Sequence, residues 1–310
     1  MKYSGGLLPL KSQKPFIQLL VALMVMLLVS LVLIVITMLS GRLVFGMGIG
    51  DISPEIIEIN SSQRAYIKYI QALQHISIFL IPSLCVAYLM TGRVSDYLKL
   101  NKVPSLTGLM LVVFLAIFLI PLVSDLGIWN SGLILPDWLG GLEEWMSRKE
   151  AEAAKLTGWL IYSGSTGGLI INILIIAVIP SIGEEFLFRG LLQDIFTGLF
   201  RSPHLGILFT AILFGVFHMQ FYGLVPRIVL GLVYGYLFFW SGTIWLPVLA
   251  HFLNNLVPVV VAHLIGWENI NSKFQDYIPG DNYSPFIPFA FSLILLFVIR
   301  YMPGKANSEK

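Results

Sequence analysis

Eight stretches of mostly apolar residues, separated by polar segments, run through this sequence of 310 residues. A helix needs about 20 apolar residues to cross the hydrocarbon core of a bilayer, because each residue adds a rise of about 1.5 Å. The pattern therefore predicts an all-α fold, a polytopic transmembrane bundle of about eight helices. The predicted spans are Phe16–Leu39, Tyr69–Met90, Thr107–Ser124, Leu169–Phe200, His204–Phe221, Pro226–Trp240, Ile244–Ile265 and Pro285–Tyr301.

The composition excludes several other classes of protein. Hydrophobic residues make up 57% of the chain and charged residues only 12%, about half of the 25% that is usual in soluble domains. The single cysteine, Cys85, can form neither an intrachain disulfide nor a cysteine-based metal site. A formal net charge of +2 gives no indication of nucleic-acid binding. We therefore expect an integral membrane protein surrounded by the lipid bilayer.

The distribution of charge between the loops predicts the side of the membrane on which each loop lies. Cytoplasmic loops carry an excess of lysine and arginine, and an eight-span chain with a cytoplasmic N-terminus collects most of its basic residues on that side. These basic residues are Lys2, Lys11, Lys14, Arg93, Lys99, Lys102, Arg201, Arg300, Lys305 and Lys310. The opposite side receives acidic loops, with Asp51, Glu55, Glu58, Asp125, Asp137, Glu143, Glu144, Glu150, Glu152, Glu268, Asp276 and Asp281. We predict a multi-pass protein of the cell membrane with both termini in the cytoplasm.

Two predicted external segments, Gly41–Lys68 and Leu126–Gly158, are the longest polar parts of the chain. The second contains LEEWMSRKEAEAAKL, in which charges alternate at helical spacing. This stretch is predicted to form a helix, either an amphipathic helix along the membrane surface or a solvated helical loop.

Three charged residues interrupt the fourth apolar stretch, in the segment PSIGEEFLFRGLL. A charge near the centre of a bilayer costs at least about 2.5–3.5 kcal/mol on insertion scales, so Glu184, Glu185 and Arg189 need compensating interactions. Glu185 and Arg189 stand four residues apart with the acid first, which is the favourable order for an ion pair on one helix. Glu184 points about 100° away from Glu185 and has no such partner on its own helix.

Helix arithmetic places a histidine at the depth of Glu184. Counted from the turn at Arg201, Glu184 lies roughly 24 Å along the fourth span and His218 roughly 22 Å along the fifth. The seventh span adds His251 and Asn255, which share a face of that helix, although the same count places His251 nearer the cytoplasmic end. A carboxylate can take a proton from water, and imidazole and amide groups can donate hydrogen bonds to an oxyanion. The remaining histidines are expected to bond to a neighbouring helix or to lie at the membrane interface: His75, His204 and His263.

At these residues the chain resembles the family of CAAX proteases and bacteriocin-processing enzymes, also called the ABI family, which includes type II CAAX prenyl endopeptidases. The motifs of that family are EExxxR, FxxxH and HxxxN. They occur here in that order as Glu184-Glu185-FLF-Arg189, Phe214-GVF-His218 and His251-FLN-Asn255. The resemblance covers roughly Leu169–Ile265, and it implies an intramembrane endopeptidase with a four-helix catalytic core.

The resemblance also implies a role for each matching residue. Glu184 and His218 would activate a water molecule for attack on a peptide carbonyl, and His251 and Asn255 would form the oxyanion hole. The supporting residues, which would brace the helices and shape the cavity, are Glu185, Arg189 and Phe214. The implied substrate is a membrane-associated peptide or protein. Eukaryotic members of the family cleave prenylated CAAX proteins, but no residue in this sequence identifies prenyl recognition.

The hydrolysis could use zinc as a cofactor or proceed without a metal. Glu184, His218 and His251, with water in the fourth position, form a ligand set of the kind found in catalytic zinc sites. The sequence contains no HExxH motif, and Asn255 suits oxyanion donation better than zinc binding. The metal-free form is therefore favoured, and zinc stays an alternative.

The motifs divide the chain into three parts. Residues 1–165 contain N-terminal transmembrane helices and external loops, residues 166–265 the protease-like core, and residues 266–310 an external loop and the last transmembrane helix. Two other functions stay open. One is a non-proteolytic immunity or scaffold protein on the same fold. The other is a transporter, which is less favoured because the sequence has no inverted repeat.

Overall fold

The computed structural model describes residues 9–52, 59–267, 269 and 286–301. These residues form helices and connecting turns, and they contain no strand. A one-turn helix, Val94–Tyr97, connects two of the main helices. The main helices are α1 Pro15–Phe45, α2 Ser61–Thr91, α3 Leu106–Ser131, α4 Gly140–Ile161, α5 Thr166–Phe200, α6 Pro203–Phe217, α7 Leu224–Ser241, α8 Trp245–Ile265 and α9 Phe286–Arg300.

Each of the eight predicted spans has a helical counterpart, and the protein is an integral multi-pass membrane protein. In the described part of the chain, six helices are long and apolar enough to cross a bilayer: α1, α2, α3, α5, α7 with the turn before it, and α8. Helices α6 and α9 are apolar but shorter. Large apolar side chains point outward along α1, with Leu27 69% exposed, as expected of a surface that faces lipid.

The helix ends differ from the predicted spans where polar residues extend or stop a helix. Helix α1 continues to Phe45 and α2 begins at Ser61, so both include residues of the predicted loop Gly41–Lys68. A capping box between Asn60 and Gln63 fixes the start of α2. The charged stretch LEEWMSRKEAEAAKL of the second external segment was predicted to be helical, and it lies within α4.

The fifth predicted span, His204–Phe221, extends beyond the C-terminal end of the observed helix, because α6 stops at Phe217. Met219 has a left-handed backbone with φ of 52°, a conformation that residues with a Cβ adopt singly and not within helices. His218 therefore lies just past the helix end, where its side chain is not confined to a helix face.

Part of the charge pattern falls outside the described residues, and so do residues 270–285 of the predicted loop before α9. The predicted orientation of the termini therefore stays a prediction. The charged residues concerned are Lys2, Glu55, Glu58, Glu268, Asp276, Asp281, Lys305 and Lys310.

Helices α5 to α8 form one contiguous bundle. Helix α6 packs against α7 and against the C-terminal part of α5, while α8 packs against α7 and the N-terminal half of α5. Leu187 and Leu191 of α5 and Tyr234 and Leu237 of α7 are fully buried at the centre. Helices α1 and α2 cover one side of this bundle, and α3 and α9 cover another.

Three π-helical segments interrupt the regular helices: Ile76–Leu80 in α2, and Ile173–Val178 and Phe186–Leu192 in α5. The first two end just before Pro82 and Pro180, residues that have no N–H to donate to the preceding turn. Short π-helical segments inside α-helices often occur at functional sites. All three lie beside polar residues of the site described next.

Candidate active site

Glu184 lies on α5 between the two π-helical segments and is buried, with 5% of its surface exposed. Three imidazoles from outside α5 surround its carboxylate. Nε2 of His75, on α2, lies 3.3 Å from Oε1, and Nε2 of His218 and Nε2 of His251 each lie 3.9 Å from Oε2. The structure thus brings together the carboxylate and both histidines that the sequence motifs single out.

Hydrogen bonds at Nδ1 determine how two of these rings face Glu184. Nδ1 of His218 donates to the carbonyl oxygen of Phe214 at 2.8 Å, and Nδ1 of His251 donates to Oε1 of Glu185 at 2.9 Å. A neutral ring that carries its hydrogen on Nδ1 has an unprotonated Nε2. Both rings therefore turn an Nε2 lone pair towards the Glu184 carboxylate. The His218 side chain is 30% exposed and that of His251 only 4%, so His218 is the accessible side of the cluster.

Glu185 and Arg189 form the predicted ion pair, with Nη1 of Arg189 2.9 Å from Oε1 of Glu185. Both side chains are completely buried. Nη2 of Arg189 also donates to the carbonyl oxygen of Gly231 on α7 at 3.1 Å. Glu185 thus accepts from Arg189 and from His251 through the same oxygen, so the pair holds an active-site ring in place and also links α5, α7 and α8.

Aromatic rings enclose the histidines and the arginine. The Tyr234 ring stacks on His251, with centroids 5.2 Å apart and planes at 17°. Phe214 places its edge against both His218 and His251, at 5.0 Å and 5.7 Å, and the Arg189 guanidinium lies 4.6 Å from the Phe214 centroid. The Phe214 ring therefore packs against His218, His251 and Arg189 and forms no hydrogen bond itself.

Asn255 lies one helical turn beyond His251 on α8. Its Nδ2 donates to the carbonyl oxygen of Ile176 at 3.3 Å, inside the first π-helical segment of α5. An amide nitrogen carries two hydrogens, so this bond leaves one N–H for another acceptor. The contact shows how α8 is tied to α5 at the level of the site.

His75 is a member of this cluster that the sequence analysis did not select. It was expected to bond to a neighbouring helix or to lie at the membrane interface, and its partner on a neighbouring helix is Glu184 itself. Nδ1 of His75 lies 3.2 Å from two groups of Gln71, one turn earlier: its side-chain Nε2 and its backbone carbonyl oxygen. When the side-chain amide donates to Nδ1, the ring carries its hydrogen on Nε2, which faces Glu184. A sequence signal for His75 did exist, because Gln71 and His75 are polar residues four positions apart in the predicted span Tyr69–Met90.

Zinc is the alternative cofactor at this site. In the described part of the chain, no group of three His, Cys, Asp or Glu side chains has an arrangement that could hold a metal ion. Histidines that bind zinc also donate from their second ring nitrogen to a carbonyl or carboxylate oxygen, as His218 and His251 do here, so zinc stays an alternative at this site. We derive no catalytic step through a metal.

Comparison with known proteins gives one match. Residues 166–257 match the model of the family described as "Type II CAAX prenyl endopeptidase Rce1-like", a segment that includes every residue of the three sequence motifs. No curated protein and no solved structure matches the chain significantly. Peptide hydrolysis of the CAAX-endopeptidase type is the activity that the family match supports. In residues 166–257, this membrane protein therefore contains a domain of the Rce1-like type II CAAX prenyl endopeptidase family.

Proposed function

We propose that the protein is an intramembrane endopeptidase that hydrolyses a peptide bond of a membrane-associated protein or peptide without a metal ion. The observation that carries this proposal is the geometry at Oε2 of Glu184, which faces Nε2 of His218 and Nε2 of His251 at 3.9 Å. This separation is too long for a direct hydrogen bond, and Oε2 is buried without a hydrogen-bond partner among the described residues, so a water molecule admitted between these groups would satisfy it. A water held there lies against a carboxylate that can accept its proton.

In the proposed reaction, Glu184 and His218 orient and deprotonate the attacking water. As the carbonyl carbon becomes tetrahedral, its oxygen gains negative charge, and hydrogen-bond donors at that position stabilise the transition state. Asn255 has one amide hydrogen left for this purpose. His251 becomes a donor when its Nε2 receives the proton that Glu184 takes from the water, and the Glu185 carboxylate at its Nδ1 balances the resulting charge, as an acid does for an imidazolium in hydrolases. The same proton then passes to the leaving amine as the C–N bond breaks.

We assign His75 the role of a positioning residue. Its contact with Oε1 of Glu184 holds the carboxylate so that Oε2 faces the other two rings. Helix α2 lies outside the family-matched segment, so this part of the site is supplied by the N-terminal half of the chain. The proposed orientation, with both termini in the cytoplasm, rests on the charge pattern alone.

The proposal is tested by measuring hydrolysis of a quenched-fluorescent library of membrane peptides by purified protein in lipid nanodiscs, with and without a zinc chelator. We expect cleavage by the wild type that the chelator does not change. Loss of cleavage with the chelator, restored by added zinc, would establish a metal-dependent reaction instead. Binding of library peptides without hydrolysis would favour the non-proteolytic alternative.

Replacing His75 by alanine is expected to lower kcat about 10- to 100-fold with little change in KM. A hydrogen bond to a charged group contributes about 1.5–3 kcal/mol, and each 1.36 kcal/mol corresponds to tenfold in rate. His75→Gln should restore part of the rate, because an amide can also donate to the carboxylate. The measurements are kcat, KM and the pH dependence of kcat, which we expect to differ from that of the wild type.

The matched control is His263→Gln. His263 contacts Ser163 Oγ at 2.8 Å, and its substitution should leave kcat within about twofold. If His75→Ala and His263→Gln lowered kcat equally, or if His75→Ala changed only KM, the positioning role would be wrong.

A further inference from the structure

A cavity of about 1040 Å³ opens at one end of the helix bundle, away from the active site. Its walls come from helix ends: Thr91 closes α2, Thr197 lies in the last turn of α5, Pro203 begins α6, and Phe238 lies in the last turn of α7. Apolar spans end at the membrane boundary, so a cavity between their ends lies at the depth of lipid headgroups.

Charged side chains line this cavity together with aromatic rings. Two of its cations have acidic partners: Nζ of Lys11 lies 2.5 Å from Asp194 Oδ2, and Nη1 of Arg93 lies 3.6 Å from Asp96 Oδ2. The remaining cation is Lys99. Both acids of the cavity are thus already paired with cations other than Lys99. The charged lining residues are Lys11, Arg93, Asp96, Lys99 and Asp194, and the aromatic ones are Tyr97, Phe238 and Phe239.

Among the described residues, the Lys99 ammonium has no ion pair within 4.0 Å, and it lies 4.6 Å from the centroid of the Phe238 ring. Burial lowers the pKa of the Lys99 ammonium below its usual value, although the Asp194 carboxylate acts in the opposite direction, and Lys102 lowers the pKa further. A buried ammonium of this kind is stabilised when an anion occupies the space beside it. The cavity thus contains one cation whose charge the protein does not balance by a close contact.

The backbone holds Lys99 in a conformation that lysine seldom adopts. Its φ is 55°, in the left-handed region. The residues on either side are anchored: Leu98 is fully buried against Gly190, where a Cβ would come within 2.5 Å of Leu98 Cδ2, and the Leu100 carbonyl accepts from Trp245 Nε1 at 2.9 Å. Left-handed residues other than glycine persist where the surroundings impose them, and they are frequent at ligand sites. The backbone of Lys99 is therefore held in this conformation before any ligand arrives, while its side chain remains flexible.

We propose that this cavity binds the phosphate group of an anionic ligand, with Lys99 as its principal contact and the Phe238 and Phe239 rings against the apolar part of the ligand. Basic cavities between transmembrane helices at the membrane surface are suited to lipid headgroups. A phospholipid headgroup and a soluble phosphate ester share the phosphate chemistry that Lys99 would recognise. This site is separate from the proposed peptidase centre and does not depend on its mechanism.

The test is a titration of the purified protein in a non-ionic detergent, with thermal unfolding and native mass spectrometry as readouts. The probes are phosphatidylglycerol, phosphatidylcholine and glycerol 3-phosphate. We expect phosphatidylglycerol to raise the unfolding temperature more than phosphatidylcholine does. Lys99→Asn should weaken this binding about five- to tenfold, the effect of one basic residue near an anionic headgroup. Asparagine is chosen because it tolerates left-handed backbone, and the unfolding temperature without lipid checks that the variant is folded.

Lys102→Asn is the matched control, because it removes the same charge three residues away at an exposed position that does not line the cavity. We expect it to change phosphatidylglycerol binding less than twofold. Binding of glycerol 3-phosphate with the same dependence on Lys99 would support the phosphate site and identify soluble esters as ligands as well. Equal binding of the two lipids by the wild type, or equal effects of the two substitutions, would overturn the proposal.

Discussion

Replacing Glu184 by glutamine is expected to lower kcat about 10³-fold while KM stays within about threefold of the wild type. Glutamine has nearly the same shape as glutamate but cannot accept a proton from water, and a general base contributes about 10²–10⁴ in rate. Because the substitution affects the proposed attack and not substrate binding, the loss should appear in kcat. The measurement is steady-state cleavage of a peptide selected from the fluorogenic library.

Glu144→Gln is the control for this substitution. Glu144 lies on α4 with its side chain 76% exposed and pairs with Arg148 at 3.5 Å, so kcat should not change. If Glu184→Gln kept more than a tenth of the wild-type kcat, Glu184 would not be the base. An unchanged biological phenotype in that variant would instead indicate a scaffold or immunity function.

The second large effect is on stability. Replacing Arg189 by alanine leaves the completely buried Glu185 carboxylate without its cation and removes the side-chain bond to the Gly231 carbonyl. Breaking one side of a buried ion pair costs about 3–5 kcal/mol, and we expect the free energy of unfolding to fall by that amount. Denaturant unfolding of the purified protein in mixed micelles measures the change.

A double variant, Glu185→Gln with Arg189→Met, provides the sharpest control. Replacing both charges removes the unpaired group, so much of the lost stability should return. Activity should not return, because Glu185 also orients His251 through a 2.9 Å contact. Arg148→Ala, at a side chain 64% exposed, should change stability by less than about 0.5 kcal/mol. An equal loss in Arg189→Ala and Arg148→Ala would contradict the bracing role.

The sequence was sufficient to predict features that depend on local spacing. Apolar length predicts the helices, and the spacing of Glu185 and Arg189 predicts their ion pair, because both follow from regular helix geometry. The depth of Glu184 relative to His218 could also be counted, because both positions are measured from the same turn at Arg201. These are properties of one helix or of one hairpin.

Two features of the site could not be derived in this way. Helix arithmetic placed His251 nearer the cytoplasmic end than Glu184, but the π-helical segment Phe186–Leu192 follows Glu184. A π-helical turn contains more residues than an α-helical turn, so Glu184 lies a few ångströms closer to the end of α5 than a rise of 1.5 Å per residue indicates. The larger part of the difference comes from the relative depths at which α5 and α8 end, which the count could not supply. His75 approaches from a helix distant in sequence, and the packing of α2 on α5 that unites them has no local signal.

The net formal charge of the buried cluster around Glu184 is the sum over its side chains. Among the side chains in direct contact, Glu184 and Glu185 contribute −2 and Arg189 contributes +1, so with three neutral imidazoles this group carries −1, and the Arg227 guanidinium acts on Glu184 from farther away. A buried charge without a close partner is costly, and the proton that Glu184 accepts from the attacking water brings the sum of the group to zero. Three histidines offer that proton several places within a few ångströms. For the proposed hydrolysis, the cluster would thus act as a reservoir that keeps one proton ready for the departing amine.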